Sequence, residues 1–175
     1  MTYTKKSRQF EQYKRIVKFL SSAAIVLVEL AAYYYVWINY YNINMTIAFW
    51  RRGNWLIAGE YFLLLLFFHR MNGGLKVGIY KYVTLVYSHM LSIIGINGFF
   101  YVQVVLFDKK MHNPTPLLVL TAVDLILVMF WAWGFKKIYS ALFPKKKLIF
   151  VYGKEPMSQL KSRIDTREDK YVIAK

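Results

Sequence analysis

Four long apolar runs, separated by short polar or basic segments, constrain this chain more than any other feature. The runs cover residues 16–38, 54–68, 84–107 and 117–135. A helix needs about 20 apolar residues to cross roughly 30 Å of hydrocarbon. Hydrophobic residues make up 57% of the chain, more than a soluble domain of this length can bury in one core. The sequence therefore predicts an all-α membrane protein, with a four-helix transmembrane bundle over residues 16–143.

The second apolar run is the weakest of the four. At about 1.5 Å per residue, residues 54–68 would cover about 22 Å, so a spanning helix must extend to Phe49 and Trp50 or rely on arginines that reach the headgroups from its ends. A re-entrant segment is the alternative. Trp50 and Trp55 indicate an aromatic belt at the membrane surface, which favours a full crossing.

Lysine and arginine are unevenly distributed among the segments between the runs. Most of them lie in the amino terminus, residues 1–15, in the loop 71–82 with the adjoining Arg70, and in the tail that begins at Lys136. The remaining two loops hold four, which are Arg51, Arg52, Lys109 and Lys110. Because positive charge is retained on the cytosolic side, the sequence predicts a multi-pass protein with both termini and the loop 71–82 in the cytosol.

The net charge of +15 is carried in blocks between apolar runs rather than on one surface. This pattern favours contact with anionic lipid headgroups and indicates no nucleic-acid partner. The chain has no cysteine, which excludes disulfides, thiol nucleophiles and cysteine metal sites.

The composition changes after Pro144. Residues 148–152 and 171–174 read as short strands, and residues 156–164 between them as a helix with Pro156 in its first turn. This order predicts the start of a Rossmann-like βαβ unit over residues 144–175. Two short strands and one helix cannot bury enough surface to be stable, so we expect an incomplete domain. The glycines of a dinucleotide-binding loop are missing after Gly153.

Each apolar run contains one acidic residue or histidine, and these are Glu29, Glu60, His89 and Asp124. Such residues are costly in hydrocarbon and usually face a bundle interior, a water-filled cavity or a functional pathway. The three acids fall in the outer halves of their runs, which predicts a shared polar cluster, with His89 nearer the cytosol. The alternative is that each forms a hydrogen bond with a neighbouring helix. No pair has the spacing of a metal site, so the sequence predicts no catalytic, cofactor-binding or metal-binding residue.

Two further patterns concern helix packing and the membrane surface. Gly95 and Gly98 predict close packing of the third helix against a neighbour. A run of aromatic residues near the outer end of the first helix predicts an interface belt rather than a platform for stacking sugars. The run comprises Tyr33, Tyr34, Tyr35, Trp37, Tyr40 and Tyr41.

Four segments carry a resemblance to a known family. They are Gly73-Gly74 followed by Lys76-Val77-Gly78-Ile79-Tyr80, the stretch Leu85-Val86-Tyr87-Ser88-His89-Met90-Leu91-Ser92, the junction Pro144-Lys145-Lys146-Lys147 with the strand after it, and Asp165-Thr166-Arg167-Glu168-Asp169-Lys170-Tyr171. Together with the order of the spans, they resemble the amino-terminal half of bacterial exopolysaccharide-type polyprenyl-phosphate sugar phosphotransferases.

The resemblance implies a membrane region and a Rossmann-like domain that precede a catalytic domain. In that family the catalytic domain uses magnesium and acidic residues to move a sugar 1-phosphate from a nucleotide sugar to undecaprenyl phosphate. This chain ends before such a domain, so we expect an anchor and scaffold in the bacterial cytoplasmic membrane. It would be inactive alone, would hold no cofactor, and would act as a homo-oligomer or with a catalytic partner in exopolysaccharide or capsule synthesis.

Two other functions stay open from the sequence. A small translocator of lipid-linked sugars would use Glu29, Glu60 and Asp124 to line a polar path. A membrane interaction protein would use its helices as a partner surface.

Overall fold

The computed structural model describes residues 13–78 and 80–142, together with the backbone of two short strands. Four α-helices account for most of these residues: α1 (Lys14–Val36), α2 (Arg51–Asn72), α3 (Tyr82–Asp108) and α4 (Thr115–Leu142). A π-helical turn, Trp37–Tyr41, and a 3-10 turn, Asn42–Asn44, extend α1. The prediction of four helices is confirmed.

Three of the helical segments are long and apolar enough to cross a membrane. They are Lys14–Asn44, Tyr82–Asp108 and Thr115–Leu142. Large apolar side chains are also exposed on all four helices, for example Phe19, Leu63, Leu106 and Phe130 at 72, 67, 69 and 69%. Exposure on this scale is unfavourable in water and is accommodated by lipid, so the fold is that of a multi-pass membrane protein.

The helix α2 is longer than its apolar run. It has 22 residues, which correspond to about 33 Å at about 1.5 Å per residue, because it includes polar and basic residues at both ends. It ends at Asn72 and is capped by Gly73, whose φ of 83° is left-handed and whose N–H donates to the His69 carbonyl. Glycine is favoured there because it has no Cβ to strain this conformation.

The chain divides into two compact units. The first is Arg15–Phe135, and the second is Met1–Lys14 with Lys136–Lys175. In the second unit, β1 (Lys146–Leu148) and β2 (Tyr171–Ile173) pair in parallel, with Lys146 opposite Tyr171 and Leu148 opposite Ile173.

The strands only partly follow the sequence prediction. β2 lies within the predicted strand 171–174, whereas β1 begins two residues before the predicted strand 148–152. The predicted helix 156–164, residues 149–152 and the segment 165–170 lie outside the described residues, as does the basic segment 1–12. Within the described residues there is a parallel pair of strands but no βαβ unit.

The core of the first unit is rich in aromatic side chains. Tyr33 of α1 stacks on Tyr61 of α2, with ring centroids 3.7 Å apart, and both meet Phe100 of α3 at 5.1 and 5.0 Å. Trp37 is buried as well, and its Nε1 donates to Asn54 Oδ1 at 2.9 Å. The centre of the bundle is therefore an aromatic layer shared by the first three helices.

These contacts correct the predicted aromatic belt. Tyr33, Trp37 and Tyr41 are buried, whereas Tyr35 and Tyr40 are exposed. Successive helical residues point in different directions, and residues four apart share a face. A continuous aromatic run on a helix therefore cannot all face the lipid, and every fourth residue of this run enters the core.

Candidate functional site: a buried glutamate and two histidines

Three polar side chains from three helices meet inside the first unit. Glu29 of α1, His69 of α2 and His89 of α3 are all fully buried. Glu29 Oε2 lies 2.7 Å from His69 Nε2, and Glu29 Oε1 lies 3.3 Å from His89 Nδ1. The two imidazole rings are 4.3 Å apart between centroids. One carboxylate thus bridges two histidines that are 20 residues apart in the chain.

The loop after α2 closes this cluster. Gly74 N–H donates to the His69 carbonyl at 2.8 Å, and the Gly74 carbonyl lies 3.1 Å from His89 Nε2. A Cβ at Gly74 would lie 3.0 Å from His69 Nδ1 and 3.3 Å from His89 Nε2, so a side chain there would crowd both rings. Glycine therefore allows the loop backbone to lie directly against the two imidazoles.

Asp124 of α4 lies near the cluster without joining its hydrogen bonds. It is fully buried, and it is close enough to Glu29 for the two carboxyl groups to interact electrostatically. Neither of its oxygens has a hydrogen-bond partner within residues 13–78 and 80–142. A buried carboxyl group without a partner is costly, so this part of the bundle has an unsatisfied acceptor.

A second polar chain runs from α2 to α4. Tyr61 O–H donates to Asn97 Oδ1 at 3.0 Å, and Asn97 Nδ2 donates to Thr121 Oγ1 at 2.9 Å. The Thr121 hydroxyl donates in turn to the Leu117 carbonyl at 2.7 Å. These groups satisfy one another and link three helices, which indicates a role in packing.

The structure brings together some of the residues predicted to form a polar cluster. Glu29 and His89 are in contact, and Asp124 is nearby. Glu60 instead accepts a hydrogen bond from Gln103 Nε2 at 2.8 Å. Because Glu29 contacts His69 in the last turn of α2, the cluster of Glu29, His69 and His89 lies at the Gly74 end of the bundle.

Sequence reasoning missed His69. It lies one residue beyond the apolar run 54–68, where a polar residue normally marks the end of a span. The turn at Gly73-Gly74 was the available signal, because a tight turn brings the end of one helix next to the start of the following one. That turn places His69 beside His89.

Two imidazoles and a carboxylate can hold either protons or a divalent cation. The three residues each offer one ligand atom, and these atoms lie within 4.8 Å of one another. Imidazole nitrogen and carboxylate oxygen are both ligands of Zn²⁺ in proteins.

Comparison of the chain with protein families, with curated proteins and with solved structures gives no match. The function is therefore argued from the fold and the site.

Proposed function

We propose that this chain is the membrane module of a polyprenyl-phosphate sugar phosphotransferase. In this role its helices anchor a cytosolic α/β domain at the surface of the bacterial cytoplasmic membrane, where undecaprenyl phosphate receives a sugar 1-phosphate for exopolysaccharide or capsule synthesis. The order of elements, membrane helices followed directly by a parallel pair of strands, carries the proposal.

The strand pair supports a cytosolic α/β domain because parallel strands cannot be joined by a tight turn. They need a crossover connection of about a dozen residues or more, usually a helix. Residues 149–170 separate β1 from β2, which is long enough for such a connection. Parallel sheets with helical crossovers are typical of nucleotide-binding domains.

The proposal requires α2 to cross the membrane as the fourth span. Its length of about 33 Å matches the hydrocarbon core, and it exposes Leu56, Leu63 and Phe67 at 67, 67 and 59%. Trp50 and Trp55 are exposed near its first end, where tryptophan favours the interface. A crossing α2 would place both termini in the cytosol, as the distribution of basic residues predicts.

The arrangement of the acids favours this module over a small translocator. A translocator of lipid-linked sugars would need Glu29, Glu60 and Asp124 along one path. Glu29 is instead hydrogen-bonded by two histidines, and Glu60 by Gln103. These pairings favour a packed bundle.

Transferase assays in membranes test the proposal. Radiolabelled nucleotide sugar, undecaprenyl phosphate and Mg²⁺ would be supplied to membranes that hold this chain alone, or this chain joined after Lys175 to the catalytic domain of an exopolysaccharide-type transferase. We expect lipid-linked sugar 1-phosphate from the joined protein. We expect none above background from the chain alone, because the resemblance places the acidic catalytic residues in a separate domain.

The matched control joins the same catalytic domain to an unrelated four-span anchor. If that control is active while the fusion to this chain is correctly inserted but inactive, the chain is not a compatible membrane module. Transfer by the chain alone would also overturn the proposal, because it would place an active site within the helices.

A further inference from the structure

We infer that Glu29, His69 and His89 form a binding site for a divalent transition-metal ion, best matched by Zn²⁺, that ties α1, α2 and α3 together inside the membrane. This inference goes beyond the proposed function and does not depend on it.

The geometry suits a metal ion with short bonds. Zn²⁺ binds histidine nitrogen and carboxylate oxygen at about 2.0 to 2.2 Å, usually with four ligands in a tetrahedron, which places neighbouring ligand atoms about 3.3 Å apart. Glu29 Oε1 and His89 Nδ1 are 3.3 Å apart, and Glu29 Oε2 and His69 Nε2 are 2.7 Å apart. Small side-chain rotations would therefore open the space for one ion.

The hydrogen bonds of His89 also favour a metal ion. Its Nδ1 faces the Glu29 carboxylate and its Nε2 faces the Gly74 carbonyl. Both neighbours are acceptors, but a neutral imidazole carries one N–H. A metal ion at Nδ1 resolves this conflict, as a second proton on the ring would, because Nε2–H then donates to the carbonyl. Donation from the second ring nitrogen to a backbone carbonyl is the usual support of a histidine ligand.

The charge around the cluster favours a cation. Two fully buried carboxyl groups, Glu29 and Asp124, are close enough to interact. Among the residues that the structure describes, Asp124 has no hydrogen-bond partner at either oxygen, and His69 Nδ1 has none either. Two neutral side chains also lie near the cluster: Tyr61 of α2, and Trp131 of α4, whose ring lies 5.3 Å from that of His89. A divalent ion would offset the negative charge of the Glu29 carboxylate.

The ligand types narrow the identity of the ion. Mg²⁺ prefers six oxygen ligands and keeps several waters, which a fully buried site with two imidazoles does not suit. Imidazole suits zinc and its first-row neighbours. Zn²⁺ and, as its spectroscopic substitute, Co²⁺ are therefore the appropriate probes.

Metal binding by the full chain in lipid nanodiscs tests the inference. The protein would carry an affinity tag without histidine, be stripped with a chelator, and be incubated with Zn²⁺ or Co²⁺ before gel filtration. We expect about one Zn²⁺ retained per chain and the strong visible absorption of four-coordinate Co²⁺. We expect the double variant His69→Gln with His89→Gln to bind at least tenfold more weakly.

The chain supplies a matched control in a second pair of a histidine and an acid. His112 Nε2 lies 2.8 Å from Asp108 Oδ2 at the end of α3. The substitution His112→Gln therefore removes a similar pair outside the site and should leave the amount of Zn²⁺ retained per chain unchanged. Glu60→Gln, which removes a different intramembrane acid, should also leave it unchanged.

The wild-type protein decides the outcome even if the double variant does not fold. Zn²⁺ should raise the unfolding temperature of the stripped wild type, and excess Mg²⁺ should not. Absence of the four-coordinate Co²⁺ spectrum from folded wild-type protein would overturn the inference. So would retention of equal Zn²⁺ by wild type and a folded double variant.

Discussion

At the scale of single residues, the bundle interior is organised by polar groups that find partners on other helices. Trp37 donates to Asn54, and Tyr61 donates to Asn97. Water is absent from hydrocarbon, so a buried donor or acceptor must be satisfied by the protein. Hydrogen bonds of this kind join specific positions, which gives each helix a defined rotation about its axis.

The Trp37 hydrogen bond leads to a stability prediction. Trp37→Phe removes the donor to Asn54 Oδ1 at 2.9 Å and leaves a buried acceptor unpaired, so we expect the free energy of unfolding to fall by about 1 to 3 kcal/mol. Denaturation in micelles measures this change in the free energy of unfolding. Unfolding is followed by a circular dichroism signal that does not depend on tryptophan. Trp55→Phe is the control, because Trp55 is exposed. Equal losses in the two variants would refute the role of this hydrogen bond.

At the scale of elements, α2 and α3 pack closely where a glycine permits it. A Cβ at Gly95 would lie 2.9 Å from Phe68 Cε1, so the ring of Phe68 occupies the space of the missing side chain. A Cβ at Gly98 would meet nothing within 4 Å. The sequence predicted close packing at both glycines, and the structure shows it at Gly95, which is half-buried, but not at Gly98, which is exposed one turn further along α3.

This difference predicts unequal effects of the same substitution. Gly95→Val must displace the Phe68 ring, and we expect it to destabilise the bundle by about 1 to 3 kcal/mol, as overpacking typically does. Gly98→Val introduces the same side chain into open space and should change the unfolding free energy little. Reversible unfolding of both variants in the same micelles gives the comparison. A larger loss at Gly98 would contradict the packing described for α2 and α3.

At the scale of the whole molecule, orientation in the membrane follows from how many helices cross. The basic residues predict that the loop between α2 and α3 is cytosolic and that the two other connections are outside. Since the chain has no cysteine, single cysteines can report on each connection without background. Ala48, Lys76 and Lys110 are exposed positions, one in each connection.

We expect Ala48→Cys and Lys110→Cys to react with a membrane-impermeant maleimide in intact spheroplasts. Lys76→Cys should react only after permeabilisation, because the loop that holds it is predicted to face the cytosol. Labelling of all three in denatured protein is the control for reactivity. If Ala48→Cys and Lys76→Cys label from the same side, α2 does not cross, and the four-span arrangement is wrong.

The sequence by itself determined the number of helices and the membrane class of the protein. These depend on local properties: apolar length and the exclusion of charge from lipid. It did not determine which faces turn inward. The burial of Tyr33 and Trp37, the choice of Gly95 over Gly98, and the meeting of Glu29, His69 and His89 were decided by tertiary structure. Each depends on the rotation and depth of helices far apart in the chain, which are set by packing between them.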